Sequence, residues 1–363
     1  MFYETVDFDP GPGNFDLVSV GMCDIFLSKL NNEGDFIWAK SIGTNAAEVG
    51  TGIKIDASGN IYGIGWGFGG GTTILKLNAS GLEIWTKNMS VISATDIGID
   101  ATGNVYSAGS FFSGTIDFDP GPGTFNLTSA GSDDIWISKL NQSGNFVWAK
   151  NIGGSGHPEA NSIVLDGSGN LYITGYTNGV VDFDPGPGTY NLTSTSASYD
   201  YDAFILKLDS LGNFLWVKSF GSNSYDIGRS IALDGLGNIY TTGSFNGTAD
   251  FDPGPGIHYL SAASTGSADE DVFISKLDPN GNFLWAKNFG GYSGDYGTSV
   301  EVDLSGNVYA TGHFRGLVDF DSGPGIFSLT SEDADVFILK LDSLGYFKWA
   351  VKMGGISADQ GLS

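Results

Sequence analysis

Carboxylates at a fixed spacing are the residues of this 363-residue sequence whose chemistry stands out. The motif Asp-Phe-Asp-Pro-Gly-Pro-Gly occupies residues 7–13, 117–123, 182–188 and 250–256, and residues 319–325 repeat it with Ser in place of the first Pro. Residues i and i+2 of an extended segment point the same way, so both carboxylates of a copy face one side. The Pro and Gly residues that follow predict a tight, stiff turn.

Two further acidic positions accompany this motif. An Asp opens the apolar run after each copy: Asp24, Asp134, Asp202, Asp271 and Asp335. Another acid follows a recurrent tryptophan by ten or, for Glu159, eleven residues: Glu48, Glu159, Asp226, Asp295 and Asp359. One repeat unit lacks the motif, and its aligned residues are Gly71 and Thr95, with the adjacent Asp96 predicted to lie within a strand. Because the acidic positions occur together and are absent together, we expect them to be neighbours in space.

Clustered carboxylates repel one another unless a cation, a proton or hydrogen-bond donors compensate. Acidic, oxygen-rich loops suit Ca²⁺, whereas a transition metal prefers His or Cys ligands. One hypothesis is therefore five structural Ca²⁺ sites on one face, with a spacing unlike that of an EF-hand. The other is that each Asp caps its own turn and binds no metal. The candidate metal ligands are Asp7, Asp9, Asp24, Glu48, Asp117, Asp119, Asp134, Glu159, Asp182, Asp184, Asp202, Asp226, Asp250, Asp252, Asp271, Asp295, Asp319, Asp321, Asp335 and Asp359.

Other candidates for chemistry carry less weight. Trp66 lies in the Gly-rich loop of the unit without the motif and is a candidate ligand contact. His157, His258 and His313 occupy different positions in their repeats, which favours chance surface placement over catalysis. The sequence has no Gly-x-Ser-x-Gly elbow, phosphate loop, His-Glu-x-x-His or Cys-x-x-Cys. Paired carboxylates serve glycosidases, but five equivalent copies argue against a single active site.

Two recurrent hairpins must position these side chains. One hairpin ends in a shared tryptophan, at Trp38, Trp85, Trp148, Trp216, Trp285 and Trp349, and carries a strand lysine in all six units, including the one without the motif. The other has the signature Asp-x-x-Gly-Asn-(apolar)-Tyr, ending at Tyr62, Tyr106, Tyr172, Tyr240 and Tyr309. Two hairpins make four antiparallel strands, and such a unit repeated at more than 40 residues is typical of a β-propeller blade.

The repeat divides the chain into six units, at about residues 1–43, 44–90, 91–153, 154–221, 222–290 and 291–363 of a single β-propeller domain. Five units have four strands, and the first has only an outer hairpin, at residues 24–40. Either the ring closes with one incomplete blade, or the chain is a slice of a longer array. We favour the slice, whose end strands would expose edges suited to self-association.

The run Ser-Ile-x-Leu-Asp-x-x-Gly-Asn-Ile-Tyr-x-Thr-Gly, followed by Asp-x-Phe-Ile-x-Lys-Leu-Asp-x-x-Gly-Asn-Phe-x-Trp-Ala-Lys, resembles the bacterial β-propeller repeat family SBBP. The resemblance covers nearly the whole chain. It implies an all-β propeller fold and an extracellular or cell-surface protein, often one without an assigned activity. A propeller has no intrinsic chemistry, so the resemblance does not define a function.

Charge and composition exclude several classes of partner. The chain has 41 acidic and 16 basic residues, a formal net charge of −25, which opposes binding to nucleic acid and to anionic membranes. The lone Cys23 cannot form an internal disulfide, and no apolar run is long enough to span a bilayer. The first residues lack the basic and apolar parts of a signal peptide.

The sequence therefore predicts a non-enzymatic scaffold, adhesin or binding module, with structural Ca²⁺ at the acidic loops. A carbohydrate or a protein at the loop-bearing face is the expected partner. The alternative is a polysaccharide hydrolase or lyase with its site at the central channel, which an asymmetric pocket lined by acids or His outside the repeat would favour.

Overall fold

The structure is a computed structural model that describes residues 1–67, 71–91, 93–112, 114–194, 201–263 and 269–362. Regular structure in these residues is β-strand throughout, so the described part contains no helix that could cross a membrane. The chain divides into two compact units. The first comprises residues 1–130 and 134–151, and the second comprises residues 131–133 and 152–363.

The first unit holds an outer hairpin without inner strands, formed by β3 (Ile25–Leu30) and β4 (Phe36–Ile42). A four-stranded antiparallel blade follows, with β5 (Glu48–Ile55), β6 (Ile61–Gly67), β7 (Gly71–Leu77) and β8 (Glu83–Met89). Most of a second blade completes the unit, with β9 (Ala94–Ile99), β10 (Val105–Phe112), β13 (Asp133–Leu140) and β14 (Phe146–Gly154). Two short ribbons pair β1 (Thr5–Asp7) with β2 (Asp16–Val18), and β11 (Thr115–Asp117) with β12 (Asn126–Thr128).

The second unit holds three blades with the same strand order. They are β15 (Glu159–Leu165), β16 (Leu171–Thr177), β19 (Asp202–Leu208) and β20 (Phe214–Phe220); β21 (Asp226–Leu233), β22 (Ile239–Phe245), β25 (Asp271–Leu277) and β26 (Phe283–Phe289); and β27 (Tyr296–Val302), β28 (Val308–Phe314), β31 (Asp335–Leu341) and β32 (Phe347–Met353). Its ribbons are β17 (Val180–Asp182) with β18 (Asn191–Thr193), β23 (Thr248–Asp250) with β24 (Tyr259–Ser261), and β29 (Leu317–Asp319) with β30 (Ser328–Thr330). The prediction of five complete blades and one lone outer hairpin is confirmed.

Each inner hairpin closes through the Asp-x-x-Gly-Asn sequence. In the fourth complete blade, Asp234 Oδ1 accepts the N–H groups of Leu236 and Asn238 at 2.9 Å each, and Oδ2 accepts the Asn238 side-chain amide at 2.7 Å. Gly237 has φ +80°, which a residue with a Cβ rarely adopts. The Tyr240 hydroxyl donates to Asp234 Oδ2 at 3.1 Å. The signature is therefore a set of mutually bonded side chains that fixes the turn.

The strand lysines join one blade to the next. Lys276 Nζ lies 4.8 Å from the centroid of the Tyr240 ring and donates to Ser343 O, in the following blade, at 3.1 Å. Trp285 Nε1 donates to the same carbonyl at 3.4 Å. In the first unit, Lys76 and Trp85 make the equivalent pair of bonds to Gln142 O. In these two blades the tyrosine, lysine and tryptophan of the repeat thus form the joint to the next blade.

Candidate functional sites

The Asp-Phe-Asp carboxylates fold back onto their own turn. Asp182 Oδ1 accepts the N–H groups of Asp184 at 3.1 Å and Tyr190 at 2.7 Å, and Asp184 Oδ1 accepts that of Gly186 at 2.8 Å. The Cβ that Gly188 lacks would lie 2.1 Å from Asp184 Oδ2, so glycine is required there. The same bonds recur at Asp7, Asp9, Asp117, Asp119, Asp250, Asp252, Asp319 and Asp321. This geometry is that of the capping alternative.

The phenylalanine between these carboxylates anchors the insertion in the core. Phe183 has no exposed surface, and its ring centroid lies 4.9 Å from that of Phe204. At the other end of the turn, Tyr190 packs on Phe214 with centroids 4.9 Å apart. Equivalent contacts in the other insertions join Phe15 to Phe36, Phe125 to Phe146, His258 to Phe283 and Phe327 to Phe347. The insertion is thus held at both ends by aromatic packing.

The remaining two acidic positions do meet, at the junction between successive blades. Asp226 donates its backbone N–H to Tyr201 O at 2.7 Å, which brings the start of β21 beside the start of β19. The Cβ that Gly221 lacks would lie 2.4 Å from Asp202 Oδ1 and 2.9 Å from Asp226 Oδ2. Equivalent backbone bonds link Asp295 to Glu270, Asp359 to Ala334 and Glu48 to Cys23. Four junctions therefore place a third-strand Asp beside a second acid, which starts or precedes the next first strand in three of them and follows the last strand, β32, in the fourth.

Burial shapes the ionisation of these junction carboxylates. Burial raises the pKa of Asp226 well above its ordinary value, and the nearby Asp202 carboxylate adds to the rise. Burial likewise raises the pKa of Asp271 to about 6 and that of Asp295 to about 7. Oδ1 of Asp271 and of Asp335 is buried without a hydrogen-bond partner among the described residues. Such orphaned oxygens favour a proton or a cation beside them.

The last junction has a built-in cation. Lys352 Nζ donates to Asp335 Oδ2 at 2.7 Å, and Asp335 has no exposed surface. At the same register position in the preceding blade, the neutral Asn288 donates to Asp271 Oδ2 at 3.2 Å. Ser41 fills this position beside Asp24, and Asn151 fills it beside Asp134.

The four acidic side chains of one repeat unit, which we expected to be neighbours, do not all meet at one junction. The ribbon of Asp250 bridges to Gly221, between Asp202 and Asp226, while that of Asp182 pairs with Gly153. An insertion thus lies beside the junction that precedes its own blade, one junction earlier than we predicted. Within the described ranges, no group of three or more His, Cys, Asp or Glu side chains is arranged to hold a metal ion.

Four other predicted positions are also located. Glu159 lies on β15 opposite Tyr176, whose hydroxyl donates to Glu159 Oε2, so it occupies the strand position after that of Asp226. Gly71 has φ +78°, and a Cβ there would lie 2.1 Å from Met89 O, so this position admits no acid. Asp96 lies within β9 as predicted. Trp66 lies within β6 and not in a loop, and it is half-buried against a core cluster.

A second cluster escaped the sequence analysis because its members do not follow the repeat. The chain has only two arginines, Arg229 and Arg315. The Arg229 guanidinium carbon lies 5.6 Å from the centroid of the Tyr296 ring, which stacks on His313 at 4.9 Å and 28°. Arg315 forms an exposed ion pair with Asp333 at 3.4 Å. The rarity of arginine was the signal that could have found this cluster.

Four-stranded antiparallel units joined blade to blade define a β-propeller repeat protein. The family model described as beta-propeller repeat (SBBP) matches residues 147–183 and 215–252. The chain therefore contains β-propeller repeats of the SBBP type, as the resemblance indicated.

Comparisons with individual proteins are more distant. The chain is 27% identical over 234 residues to an uncharacterized WD repeat-containing protein of Acanthamoeba polyphaga mimivirus, covering 58% of this chain and 17% of that protein. It is 24% identical over 152 residues to the regulatory protein FlaEY of Caulobacter vibrioides, covering 42% of this chain and 15% of that protein. The chain thus spans about a sixth of the length of these relatives. The solved structure of a protein of unknown function from Bacteroides caccae matches 92% of this chain and 91% of its own, at 11% identity and a TM-score of 0.41. The structure of the Dos1 propeller matches 90% of this chain and 62% of its own, at 10% identity and a TM-score of 0.44.

Proposed function

We propose that this chain is a non-enzymatic binding and scaffold module that works outside the cell or on its surface. The observation that supports this role is the use of the repeated polar side chains: insertion carboxylates cap turns, and strand lysines join blades. Side chains that vary between blades are left for recognition of a carbohydrate or a protein at the loop-bearing face. The resemblance to SBBP repeat proteins supports the extracellular setting.

The groups with raised pKa are poorly placed for acid catalysis. Asp271 and Asp295 are 1% and 0% exposed, whereas a general acid must contact its substrate. His157 Nδ1 lies 2.8 Å from both Ser132 Oγ and Asp133 Oδ2, while a nucleophile–base–acid relay uses both ring nitrogens. Neither arrangement favours the hydrolase or lyase alternative.

Structural Ca²⁺ at the blade junctions is the second part of the proposal. Asp202 with Asp226, and Asp271 with Asp295, are the candidate ligand pairs, because two carboxylates match the charge of one divalent cation. The buried, partnerless Oδ1 atom of Asp271 supports this role, as does the burial of Asp226 beside Asp202. The ammonium group that Lys352 supplies to Asp335 supports it independently. The Asp-Phe-Asp carboxylates are left out because they are engaged in their turns.

Calorimetric titration of the chelator-treated chain with Ca²⁺ tests the metal sites. We expect heat and a raised Tm in the wild type, a smaller response in Asp226→Asn, and an unchanged response in Asp184→Ala. No heat and no change in Tm would contradict the Ca²⁺ proposal.

Two further measurements test the role of the module. Incubation with a panel of polysaccharides should release no new reducing ends, and reproducible cleavage would refute the non-enzymatic role. Light scattering over a range of concentrations tests edge-to-edge association, which should appear as a mass that increases with concentration.

A further inference from the structure

The two arginines of the chain converge on one pair of rings. Burial lowers the pKa of His313 below its ordinary value, and the charges of Arg229 and Arg315 lower it further. Burial raises the pKa of Tyr296, and the same two arginines oppose that rise. Arg229 and Arg315, 86 positions apart and the only arginines of the chain, thus both act on this pair of rings, together with the acids Glu270 and Asp295.

Two polar atoms of this cluster lack partners. Arg229 Nε and His313 Nδ1 are buried without a hydrogen-bond partner in the described part of the chain. None of the ion pairs formed there includes Arg229. A buried guanidinium N–H without an acceptor is unfavourable, and a bound carboxylate would satisfy it.

Arg229 also occupies a position that serves the scaffold in other blades. The register of β21 with β22 shifts between Gly228 and Ser230, so Arg229 is the extra residue of a β-bulge. Asn161 and Thr298 occupy the equivalent bulges and donate to Gly228 O at 2.8 Å and Gly361 O at 2.7 Å. Thr51 and Thr95 fill this position in the first unit. Arg229 alone among these residues carries a charge, so its presence is not required by the fold.

Tyrosines surround the guanidinium on both sides. Tyr296 belongs to the following blade and Tyr176 to the preceding one, and the charge of Arg229 acts on both hydroxyls. Tyr176 packs edge-on against Tyr201 with centroids 5.0 Å apart. The acids nearby are already engaged, since Tyr176 donates to Glu159 and Ser244 donates to Glu270. A ligand carboxylate therefore meets donors that the protein's own carboxylates leave free.

We propose that Arg229, with the rings of Tyr296 and His313 beside it, binds the carboxylate of a small acidic sugar of the uronic acid class. The guanidinium fork matches a carboxylate, and the neighbouring aromatic rings suit the apolar face of a pyranose. The net charge of −25 opposes the approach of long polyanions. We therefore expect the ligand to be a single acidic sugar residue or the end of a sugar chain. This inference rests on the proposed role as a binding module.

Imidazole signals in proton NMR provide the test, because the full chain has only three histidines. Adding glucuronate should shift the His313 signal and raise its pKa, while glucose at the same concentration should not. Arg229→Asn introduces the residue that the preceding blade has in its equivalent bulge, Asn161. This substitution should weaken glucuronate binding about tenfold or more. His313→Ser, which copies Ser244 at the equivalent position, assigns the signal.

Asn161→Thr is the matched control, since threonine fills three of the equivalent bulges, and it should bind glucuronate like the wild type. Unchanged His313 signals with glucuronate, or equal affinity in Arg229→Asn, would overturn the proposal. Equal affinity for inorganic phosphate would overturn the choice of a carboxylated sugar. Cleavage of a polysaccharide would instead refute the non-enzymatic role and leave this site untouched.

Discussion

Lys352 and Asp335 form a 2.7 Å ion pair across β31 and β32, at the register position where the preceding blade has Asn288 and Asp271. The same position beside a buried carboxylate thus carries a lysine ammonium group in one blade and a neutral asparagine in another. A junction without a lysine depends on neutral hydrogen-bond donors, a proton or a metal ion instead.

Removing the Lys352 ammonium should destabilise the last blade. Lys352→Met leaves the fully buried Asp335 without its cation, and we expect a loss of about 1–2 kcal/mol, because the lysine is partly exposed and screened. Urea unfolding measures this loss. Lys352→Asn, which copies Asn288, should recover part of it, and no difference between Met and Asn would contradict the interpretation.

The pH dependence of stability should follow the junction acids. Because the pKa of Asp271 is raised to about 6 in the folded state, the folded protein holds this proton more tightly than the unfolded chain. Stability from this group is therefore present near pH 4 and is lost as the pH rises to about 6. Tm measured in chelator should fall less steeply between pH 4 and 6 in Asp271→Asn than in the wild type. Parallel profiles would show that Asp271 does not titrate in this way.

The insertion turn should lose stability with or without Ca²⁺ when its cap is removed. Asp184→Ala deletes the acceptor for Gly186 N–H, for an expected loss of about 1 kcal/mol in both Ca²⁺ and chelator. Thr189→Ala, at an exposed neighbour, is the control and should be neutral. A loss seen only with Ca²⁺ would make Asp184 a metal ligand after all.

Gly188 and Asp184 should be energetically coupled. Gly188→Ala forces a Cβ to 2.1 Å from Asp184 Oδ2 and should be destabilising, by about 1–2 kcal/mol. In the Asp184→Ala background the clash is absent, so the same substitution should be better tolerated. A double-mutant cycle measures the coupling, and additive effects would exclude it.

The joint between blades should depend on its lysine. Lys276→Met retains the aliphatic packing but removes the bond to Ser343 O and the ammonium above Tyr240, for an expected loss of about 1–2 kcal/mol. Lys287→Met, on the neighbouring strand of the same blade, serves as control because no described contact depends on its charge. Equal losses in both variants would argue against a specific joint.

The repeat pattern was sufficient to predict the blades, because the Asp-Gly-Asn turns and the Trp hairpins are local features. It was also sufficient to bring Asp202 beside Asp226, since a shared absence in one unit reflects a shared location. It failed for Asp182 and Asp184, whose short-range bonds to their own turn compete with any distant partner. Glu159 shows why a shift of one residue matters in a strand. Its side chain faces the opposite side of the sheet from that of Asp226, so it accepts a bond from the Tyr176 hydroxyl and does not reach the junction. The cluster of Arg229 and His313 was missed because neither residue recurs at the equivalent position of another blade. A repeat pattern carries no information about residues that do not recur.

The first-strand bulge has an evolutionary consequence. Its extra residue lies outside the ladder, so asparagine, threonine or arginine fits there while the flanking register is kept. A chain that multiplies such units gains, with each copy, one position where chemistry can change without disturbing the architecture. New specificity can then arise by single substitutions on a frame that is already stable.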